Sequence, residues 1–211
     1  MGKIYTAIGL MSGTSLDGVD LSIIKSDGSK EFSSILDRYF EYDKELIQKI
    51  LILRGKITDP EHLDKYLDEI KDLERTITLF HADAIIETLE MSKSSVDLIG
   101  FHGQTIYHNP EKRITKQLGD GNLLSQLTKK KVVYDFRLND LANGGQGAPL
   151  TPIFHNVLAN KINKKFNLGF PLNFINIGGI SNITSTVDWK NLLSAINFDS
   201  LKQFFPPHLN Q

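Results

Sequence analysis

Apolar and polar residues alternate near the start of the chain, in the period-2 pattern of β-strands. The alternation predicts strands at 4–10, 19–25 and 32–42, so we expect the chain to open as a β-meander. Helical spacing follows at 44–53, and apolar residues then recur at three- and four-residue steps from Pro60 to about Met91. That spacing predicts one long amphipathic helix, or two joined helices, with a solvated charged face.

Short apolar strands and helices alternate through the rest of the chain. A strand predicted at 96–101 would place His102 at its C-terminal end, where open α/β sheets carry their sites. The remaining predicted elements are a helix at 122–128, a strand at 131–136, a helix from an N-cap at Thr151 to about 161, and a hairpin of strands at 173–177 and 183–187. This order predicts an α/β fold.

The turn between the first two predicted strands carries the most informative chemistry. Gly13-Thr14-Ser15 offers backbone N–H and hydroxyl donors, and glycine lets a phosphate oxygen approach the main chain closely. Asp17 can hold a water of a bound Mg²⁺, because hard cations take oxygen ligands. Taken alone, these residues fit an ordinary hairpin turn equally well. The stretch lacks the Gly-Lys-Ser/Thr ending of a Walker A loop.

Composition narrows the classes of partner. Of the 211 residues, 40% are hydrophobic and 23% are charged, which is ordinary for a globular protein. The net charge of -1 predicts no nucleic-acid partner and no anionic membrane partner. No apolar run approaches the roughly 18 residues of a membrane span, and no signal-peptide layout occurs. The absence of cysteine excludes disulfides and thiolate zinc sites, and it fits a cytoplasmic protein.

Two further glycine clusters change the interpretation of the first turn. They are Asp140-Leu-Ala-Asn-Gly-Gly-Gln-Gly-Ala-Pro-Leu150 and Asn176-Ile-Gly-Gly-Ile-Ser-Asn182. Together with Gly9-Leu-Met-Ser-Gly-Thr-Ser-Leu-Asp-Gly-Val-Asp20, Phe101-His-Gly-Gln-Thr-Ile106 and Asp135-Phe-Arg137, they make the chain similar to the anhydro-N-acetylmuramic acid kinase family. The resemblance covers roughly residues 4–199. It implies an actin-like ATPase (ribonuclease H-like) α/β fold, with a complete first domain at 1–140 and only the beginning of a second at 141–199.

The resemblance also implies which residues bind ATP and the sugar. Thr14 and Ser15 would donate to the ATP phosphates, and Asp17 would serve Mg²⁺. The implied nucleotide contacts are Gly13, Thr14, Ser15, Leu16, Asp17, Gly18, Val19, Asp20, Gly178 and Gly179. The implied sugar contacts are His102, Gln104, Thr105, Asp135, Arg137, Gly145 and Gln146. Arg137 would bind the substrate carboxylate with its bidentate fork, and an internal salt bridge is an equal alternative for it.

The reaction implied by the family has two parts. A general base activates water to open the 1,6-anhydro ring, and the freed O6 then takes the γ-phosphoryl group of ATP. The product is N-acetylmuramic acid 6-phosphate, in peptidoglycan recycling and amino-sugar metabolism. Asp199 is the first candidate base, because it lies where the family has a Phe-Asp pair, and Asp140 is the second. The expected partner is a small amino sugar, and a homodimer is compatible with the sequence.

Similarity to the family stops near residue 199. The family continues with a glycine-containing motif and most of a second domain, whereas residues 200–211 form an unrelated tail containing Pro206-Pro207. We therefore expect a second domain truncated by a frameshift or premature stop, poor solubility, and weak or no kinase activity. A catalytically silent sugar- or nucleotide-binding module is the alternative. His102-Gly-Gln-Thr105 together with 144–150 disfavours another sugar kinase or a phosphatase of the superfamily.

Overall fold

The computed structural model describes residues 3–176 and 182–187. These residues fall into two units, one up to Phe136 and the other from Arg137 onward. Both units contain helices and strands, so the predicted α/β class is confirmed. In the described part of the chain, no helix is both long and apolar enough to cross a membrane.

The first unit is built on a mixed sheet. Its strands are β1 (Tyr5–Ser12), β2 (Gly18–Ser26), β3 (Phe32–Glu41), β4 (Leu98–Asn109), β5 (Ile114–Leu118) and β6 (Lys131–Val133). They are arranged in the order β3-β2-β1-β4-β5, and β6 pairs with β4 beside that path. The predicted antiparallel meander of β1, β2 and β3 is confirmed, and β4 runs parallel to both β1 and β6.

Three helices pack around this sheet and bury apolar residues: α1 (Lys44–Lys56), α3 (Leu67–Ser92) and α4 (Gly121–Thr128). The short helix α2 (Glu61–Lys65) contacts α3 and contains no buried residue. Asp43 and Asp120 cap α1 and α4, because each carboxylate accepts a backbone N–H of the first helical turn. The apolar spacing from 60 to 91 forms two helices rather than one, since Tyr66 leaves the helical conformation.

The core of the first unit lies between the sheet and helices α1 and α3. α3 contacts β2, β3, β4 and β5, whereas α1 contacts α3 and β4. Each fully buried Leu, Ile or Phe in this layer contributes about 1.5–3 kcal/mol relative to an exposed position. The cluster includes Ile8, Leu10, Leu21, Ile23, Leu46, Ile50, Leu53, Ile70, Ile77, Ile85, Ile99 and Phe101.

Strand β4 is longer than the sequence predicts, and the expectation that His102 ends it is wrong. The strand continues to Asn109, and its second half pairs with β5 in an antiparallel hairpin that the sequence pattern missed. β5 is short, and four of its five residues are only partly buried, so its hydrophobic signal is weak.

A β-bulge allows β4 to continue past His102. The register against β1 passes from Leu10–Phe101 to Ser12–Gln104, so β4 contains one residue more than β1 over this interval. Gly103 has φ of +70°, and a Cβ at this position would collide with the β5 backbone. Only glycine meets both conditions without strain, and the bulge changes which way the residues after it face.

The strand predicted at 131–136 is also too long. β6 ends at Val133, and Phe136 begins a short helix, α5 (Phe136–Ala142), that was not predicted. Asp135 has φ of +60°, a left-handed conformation that ends the extended chain.

The second unit contains α6 (Pro152–Phe166), β7 (Leu172–Asn176) and β8 (Asn182–Thr186). The two strands pair in an antiparallel hairpin, as predicted, and α6 contacts β8. Thr151 occupies the N-cap position and Pro152 opens the helix, as predicted, although the cap has an unusual geometry. Thr151 itself has helical angles, φ of −72° and ψ of −22°, and its side chain makes no capping hydrogen bond.

Candidate functional site

The turn that joins β1 to β2 is closed by its own backbone and anchored by a buried leucine. The Leu16 N–H donates to the Gly13 carbonyl at 3.3 Å. Leu16 has φ of +60°, which costs a leucine about 1–2 kcal/mol. Its side chain is 1% exposed, so burial in the core offsets that cost. Leu16 can therefore meet a ligand only through its main chain.

The three predicted contacts that follow Asp17 lie at the start of β2. Gly18 and Val19 are buried, and Val19 belongs to the core cluster. Asp20 is exposed beside them. Only Asp20 of the three thus presents a side chain to solvent.

Asp17 shapes the turn through one of its two carboxylate oxygens. Its Oδ1 accepts the Ser15 hydroxyl at 2.6 Å and the Gly18 N–H at 3.1 Å. Within the described ranges, Oδ2 accepts no hydrogen bond. One exposed carboxylate oxygen fits a water of a Mg²⁺ ion that is held mainly by phosphates. Among the described residues, no group of three or more His, Asp or Glu side chains is placed to hold a metal ion.

The carbonyls of Gly13 and Thr14 have hydrogen-bond partners, whereas the amides of Thr14 and Ser15 have none among the described residues. The Gly13 carbonyl accepts a second hydrogen bond, from Gln104 Nε2 at 3.1 Å. The Thr14 carbonyl accepts one from Arg54 Nη1 at 3.2 Å. The N–H groups of Thr14 and Ser15 have no acceptor in the part of the chain that is described. Consecutive N–H groups on exposed residues, with no acceptor of their own, are the feature that anion-binding turns share.

Gln104 lies beneath the turn as an anchor. Its side chain is completely buried. Gln104 directly follows the β4 bulge in the sequence, and its Nε2 donates to the Gly13 carbonyl. Its Oε1 atom is buried and has no hydrogen-bond partner among the described residues. A buried acceptor without a donor is costly, so Gln104 holds its position beneath the turn with one acceptor unsatisfied by the described residues.

The neighbours of Gln104 on β4 are also engaged in local hydrogen bonds. His102 is half-buried in the bulge, and its Nδ1 lies 2.7 Å from the Gly103 carbonyl. The Thr105 hydroxyl accepts a hydrogen bond from Gln117 Nε2 at 3.3 Å. Both side chains are partly accessible, as a sugar contact requires.

His81 is a buried group near the bulge that the sequence reading did not identify. It lies on α3, with Nδ1 2.7 Å from the Ile77 carbonyl and its ring edge-on to Phe101 at 5.0 Å between centroids. Complete burial, assisted by the nearby charge of His102, lowers the pKa of His81 to about 4. The imidazole is therefore neutral near pH 7. Its place in the apolar stripe of α3, four residues after Ile77, was the available signal.

In the second unit, Arg137 and Asp140 hold the glycine-rich loop at 144–147. Arg137 Nη1 donates to the Gly147 carbonyl at 2.9 Å, and Asp140 Oδ2 accepts the Gly147 N–H at 2.7 Å. The Gly145 N–H donates to the Asp140 carbonyl at 2.9 Å, and a Cβ at Gly145 would collide with the Asp140 carboxylate. Burial lowers the pKa of Arg137, although an arginine side chain stays charged in proteins.

The predicted site residues thus fall into two groups. The turn residues, His102, Gln104 and Thr105 belong to the first unit, as does the exposed Asp135. Arg137, Asp140, Gly145 and the exposed Gln146 belong to the second unit. The remaining candidates lie outside the described residues: Gly178, Gly179 and Asp199. Arg54 was not anticipated, because it lies 40 positions from Thr14 in the sequence.

Comparison with known proteins points to one family. The family model described as anhydro-N-acetylmuramic acid kinase matches residues 5–199. The chain is 54% identical over 193 residues to an anhydro-N-acetylmuramic acid kinase of Pelagibacter ubique. It is 43% identical over 190 residues to one of Agrobacterium fabrum. These matches cover 90% and 87% of this chain, and the chain spans 50% of each relative's length.

Proposed function

The chain belongs to the anhydro-N-acetylmuramic acid kinase family, and on that premise we propose that it phosphorylates 1,6-anhydro-N-acetylmuramic acid with ATP and opens the anhydro ring. The turn between β1 and β2 carries this proposal. Its Gly13 and Thr14 carbonyls accept hydrogen bonds from Gln104 and Arg54, and the N–H groups of Thr14 and Ser15 have no acceptor within residues 3–176 and 182–187. That arrangement suits the phosphates of ATP.

The first unit is proposed to have the actin-like, ribonuclease H-like fold. Three antiparallel strands lead into a fourth that runs parallel to the first and to β6, with helices packed on the sheet. The phosphate turn then follows the central strand β1, next to the point where β4 bulges. Nucleotides commonly bind at the carboxyl ends of such strands.

ATP would meet the turn through its β- and γ-phosphates. The N–H groups of Thr14 and Ser15 and the Thr14 hydroxyl are the donors, and Asp17 Oδ2 is the oxygen suited to a water of Mg²⁺. Mg²⁺ would supply neutralisation of the phosphate charge when bound. The second glycine turn at Gly178 and Gly179 is proposed to contact the same phosphates.

The proposed sugar contacts are His102, Gln104, Thr105 and Asp135 in the first unit and, taken separately, Arg137, Gly145 and Gln146 in the second. Gln104 offers a buried Oε1 that lacks a donor among the described residues, which a sugar hydroxyl can supply. Arg137 is charged and half-buried, so it suits the substrate carboxylate. Its bond to the Gly147 carbonyl also sets the direction of its guanidinium group.

In the proposed reaction, a carboxylate takes a proton from water while the water oxygen bonds to the anomeric carbon. The bond from that carbon to O6 breaks, and O6 then bonds to the γ-phosphorus as the bond to the β-phosphate oxygen breaks. Asp199 remains the first candidate base. Asp140 is the weaker candidate, because one of its carboxylate oxygens already accepts the Gly147 N–H.

A second candidate function is a binding module without catalysis. The observation that favours it is the turn itself, because the turn and its partners Gln104 and Arg54 all lie in the first unit. Nucleotide binding by this turn would therefore need no residue of the second unit. Such a module would bind ATP or the sugar and release no ADP.

Calorimetric titration with ATP and Mg²⁺, followed by an ADP-release assay with the anhydro sugar, tests both functions. Nucleotide binding together with sugar-dependent ADP release supports the kinase. Binding without ADP release supports the binding module. An absence of nucleotide binding contradicts both, since the turn would then not receive phosphates.

A further inference from the structure

Arg54 contacts the proposed phosphate turn from a neighbouring helix. We propose that Arg54 is a positioning residue for phosphate binding: it fixes the peptide between Thr14 and Ser15 so that the Ser15 N–H faces the nucleotide. This inference rests on the proposed function and adds to it a residue that no part of the sequence pattern indicated.

Arg54 reaches the turn from a rigid support. It lies in the last turn of α1, directly after the buried Leu53 and four residues after the buried Ile50. Its Nη1 donates to the Thr14 carbonyl at 3.2 Å. Because Ile50 and Leu53 hold α1 in the core, the backbone of Arg54 has a stable position. From there its guanidinium group contacts the exposed turn.

The geometry of the peptide bond converts this contact into an orientation of the next N–H. A trans peptide is planar, so the Thr14 carbonyl and the Ser15 N–H point in opposite directions. Holding the carbonyl toward Arg54 therefore directs the Ser15 N–H away from α1. Gln104 does the same one peptide earlier, since it holds the Gly13 carbonyl and so directs the Thr14 N–H. Two consecutive N–H groups are thereby set by two buried or half-buried anchors.

The charge of Arg54 adds to this effect. A hydrogen bond from a cation polarises the peptide it contacts, which makes the Ser15 N–H a stronger donor to an anion. Lys49 and Lys56 of the same helix pair with Glu45 and Glu69. Arg54 makes no ion pair with any acidic side chain in the described ranges, so its charge is not cancelled locally. The C-terminal end of α1 also favours a cation at this position.

The test compares variants of the 211-residue chain by calorimetric titration with ATP, AMP and inorganic tripolyphosphate in the presence of Mg²⁺. Arg54→Met removes the donor and the charge at similar length. We expect it to weaken ATP and tripolyphosphate binding about tenfold, the usual worth of one charge-assisted hydrogen bond. AMP, which lacks the outer phosphates, should change less than about twofold.

Two further variants separate positioning from a general structural effect. Arg54→Lys keeps a charged donor, and we expect it to recover part of the lost ATP affinity. Lys49→Met removes one charge from the exposed side of α1 and should leave all three affinities unchanged. Thermal unfolding should give wild-type midpoints for all three variants.

The outcomes separate this inference from the proposed function. If the wild type binds ATP and Arg54→Met binds it equally well, the inference is overturned and the proposed function stands. If the wild type binds tripolyphosphate through Arg54 but does not bind ATP, the inference is supported and the proposed function is contradicted. If the wild type binds neither, both are overturned. Equal losses for ATP and AMP would also overturn the positioning role.

Discussion

The turn at 13–18 and the loop at 144–147 are both glycine-rich and polar, but the two segments differ in which of their backbone groups are hydrogen-bonded. In the turn, the carbonyls of Gly13 and Thr14 have partners while the amides of Thr14 and Ser15 have none in the described part of the chain. In the loop, Asp140 accepts the Gly147 N–H, and Arg137 donates to the carbonyl of the same residue. Both backbone groups of Gly147 are therefore satisfied.

The chemistry of the anchors explains this difference. An amide nitrogen and a guanidinium group can only donate, so Gln104 Nε2 and Arg54 bind carbonyls and leave N–H groups for an anion. A carboxylate can only accept, so Asp140 takes the N–H that an anion would need. Glycine content alone does not distinguish a phosphate turn from a closed loop. What distinguishes them is which N–H a carboxylate accepts: Asp140 takes that of Gly147, whereas Asp17 takes that of Gly18 and leaves those of Thr14 and Ser15.

The largest expected effect concerns the core of the first unit and follows from His81. Its pKa is lowered to about 4 in the folded chain, compared with 6.5 for an exposed histidine. Below pH 6.5 the unfolded chain takes up a proton on His81, whereas the folded chain does not until the pH approaches 4. The contribution of the neutral His81 to the free energy of unfolding is therefore fully present above pH 6.5 and is lost as the pH falls toward 4. The loss should reach about 3 kcal/mol by pH 4.

Urea unfolding followed by circular dichroism at pH 7 and pH 5 measures this loss. His81→Leu, which cannot titrate, should lose about 2 kcal/mol less than the wild type between the two pH values. Parallel pH dependences for the wild type and His81→Leu would contradict a buried neutral histidine at this position.

The next largest effect tests the closed loop of the second unit. Asp140→Ala would leave the buried Gly147 N–H without its acceptor, so we expect a loss of about 2 kcal/mol in unfolding free energy. Asp140→Asn keeps an acceptor oxygen and should lose less than about 1 kcal/mol. Urea titration gives both values. An Asp140→Ala variant as stable as the wild type would show that the carboxylate does not hold the loop.

Gln104→Met sharpens the contrast at the turn, because it separates ligand affinity from stability. Methionine fills a similar volume but cannot donate to the Gly13 carbonyl, so ATP affinity should fall about tenfold. The substitution also removes the buried Oε1 that lacks a partner, so stability should change by less than about 1 kcal/mol. Calorimetric titration and urea unfolding give the two quantities. Unchanged ATP affinity would mean that Gln104 does not set the turn.

The smallest effect belongs to the exposed hydrogen bond within the turn. Ser15→Ala removes the hydroxyl that donates to Asp17 Oδ1, and it leaves the Ser15 backbone N–H in place. We expect a loss of about 0.5–1 kcal/mol in ATP binding, or roughly two- to fivefold in affinity. A loss of a hundredfold or more would show that the hydroxyl, rather than the amide, is the main phosphate donor.

Local patterns in the sequence predicted the parts of the fold that local physics decides. The meander, α1 and the β7–β8 hairpin follow from alternation and helical spacing. β4 was predicted too short, because His102-Gly103 resembles a strand end unless the neighbouring strands are known. Its continuation depends on a bulge whose glycine fits against the β5 backbone, and that contact is tertiary.

The same difference between local and long-range contacts applies to the candidate site. Thr14, Ser15 and Asp17 could be identified from composition and resemblance, because turn chemistry is local. The roles of Gln104 and Arg54 as anchors could not, since they act on the turn from 91 and 40 positions away in the chain. A pattern of residue types predicts which segment can bind an anion, and the long-range anchors decide whether its amides are available.

The most direct test of phosphate binding by the turn is an NMR titration of the ¹⁵N-labelled chain with ATP and Mg²⁺. It follows the amide resonances of the turn at 13–18 and of the loop at 144–147. We predict large shifts for Thr14 and Ser15 with ATP, small ones with AMP, and a Gly147 resonance that stays in place, since its N–H is already bonded to Asp140. Shifts at Gly147 with none at Thr14 and Ser15 would contradict the assignment of phosphate binding to the turn.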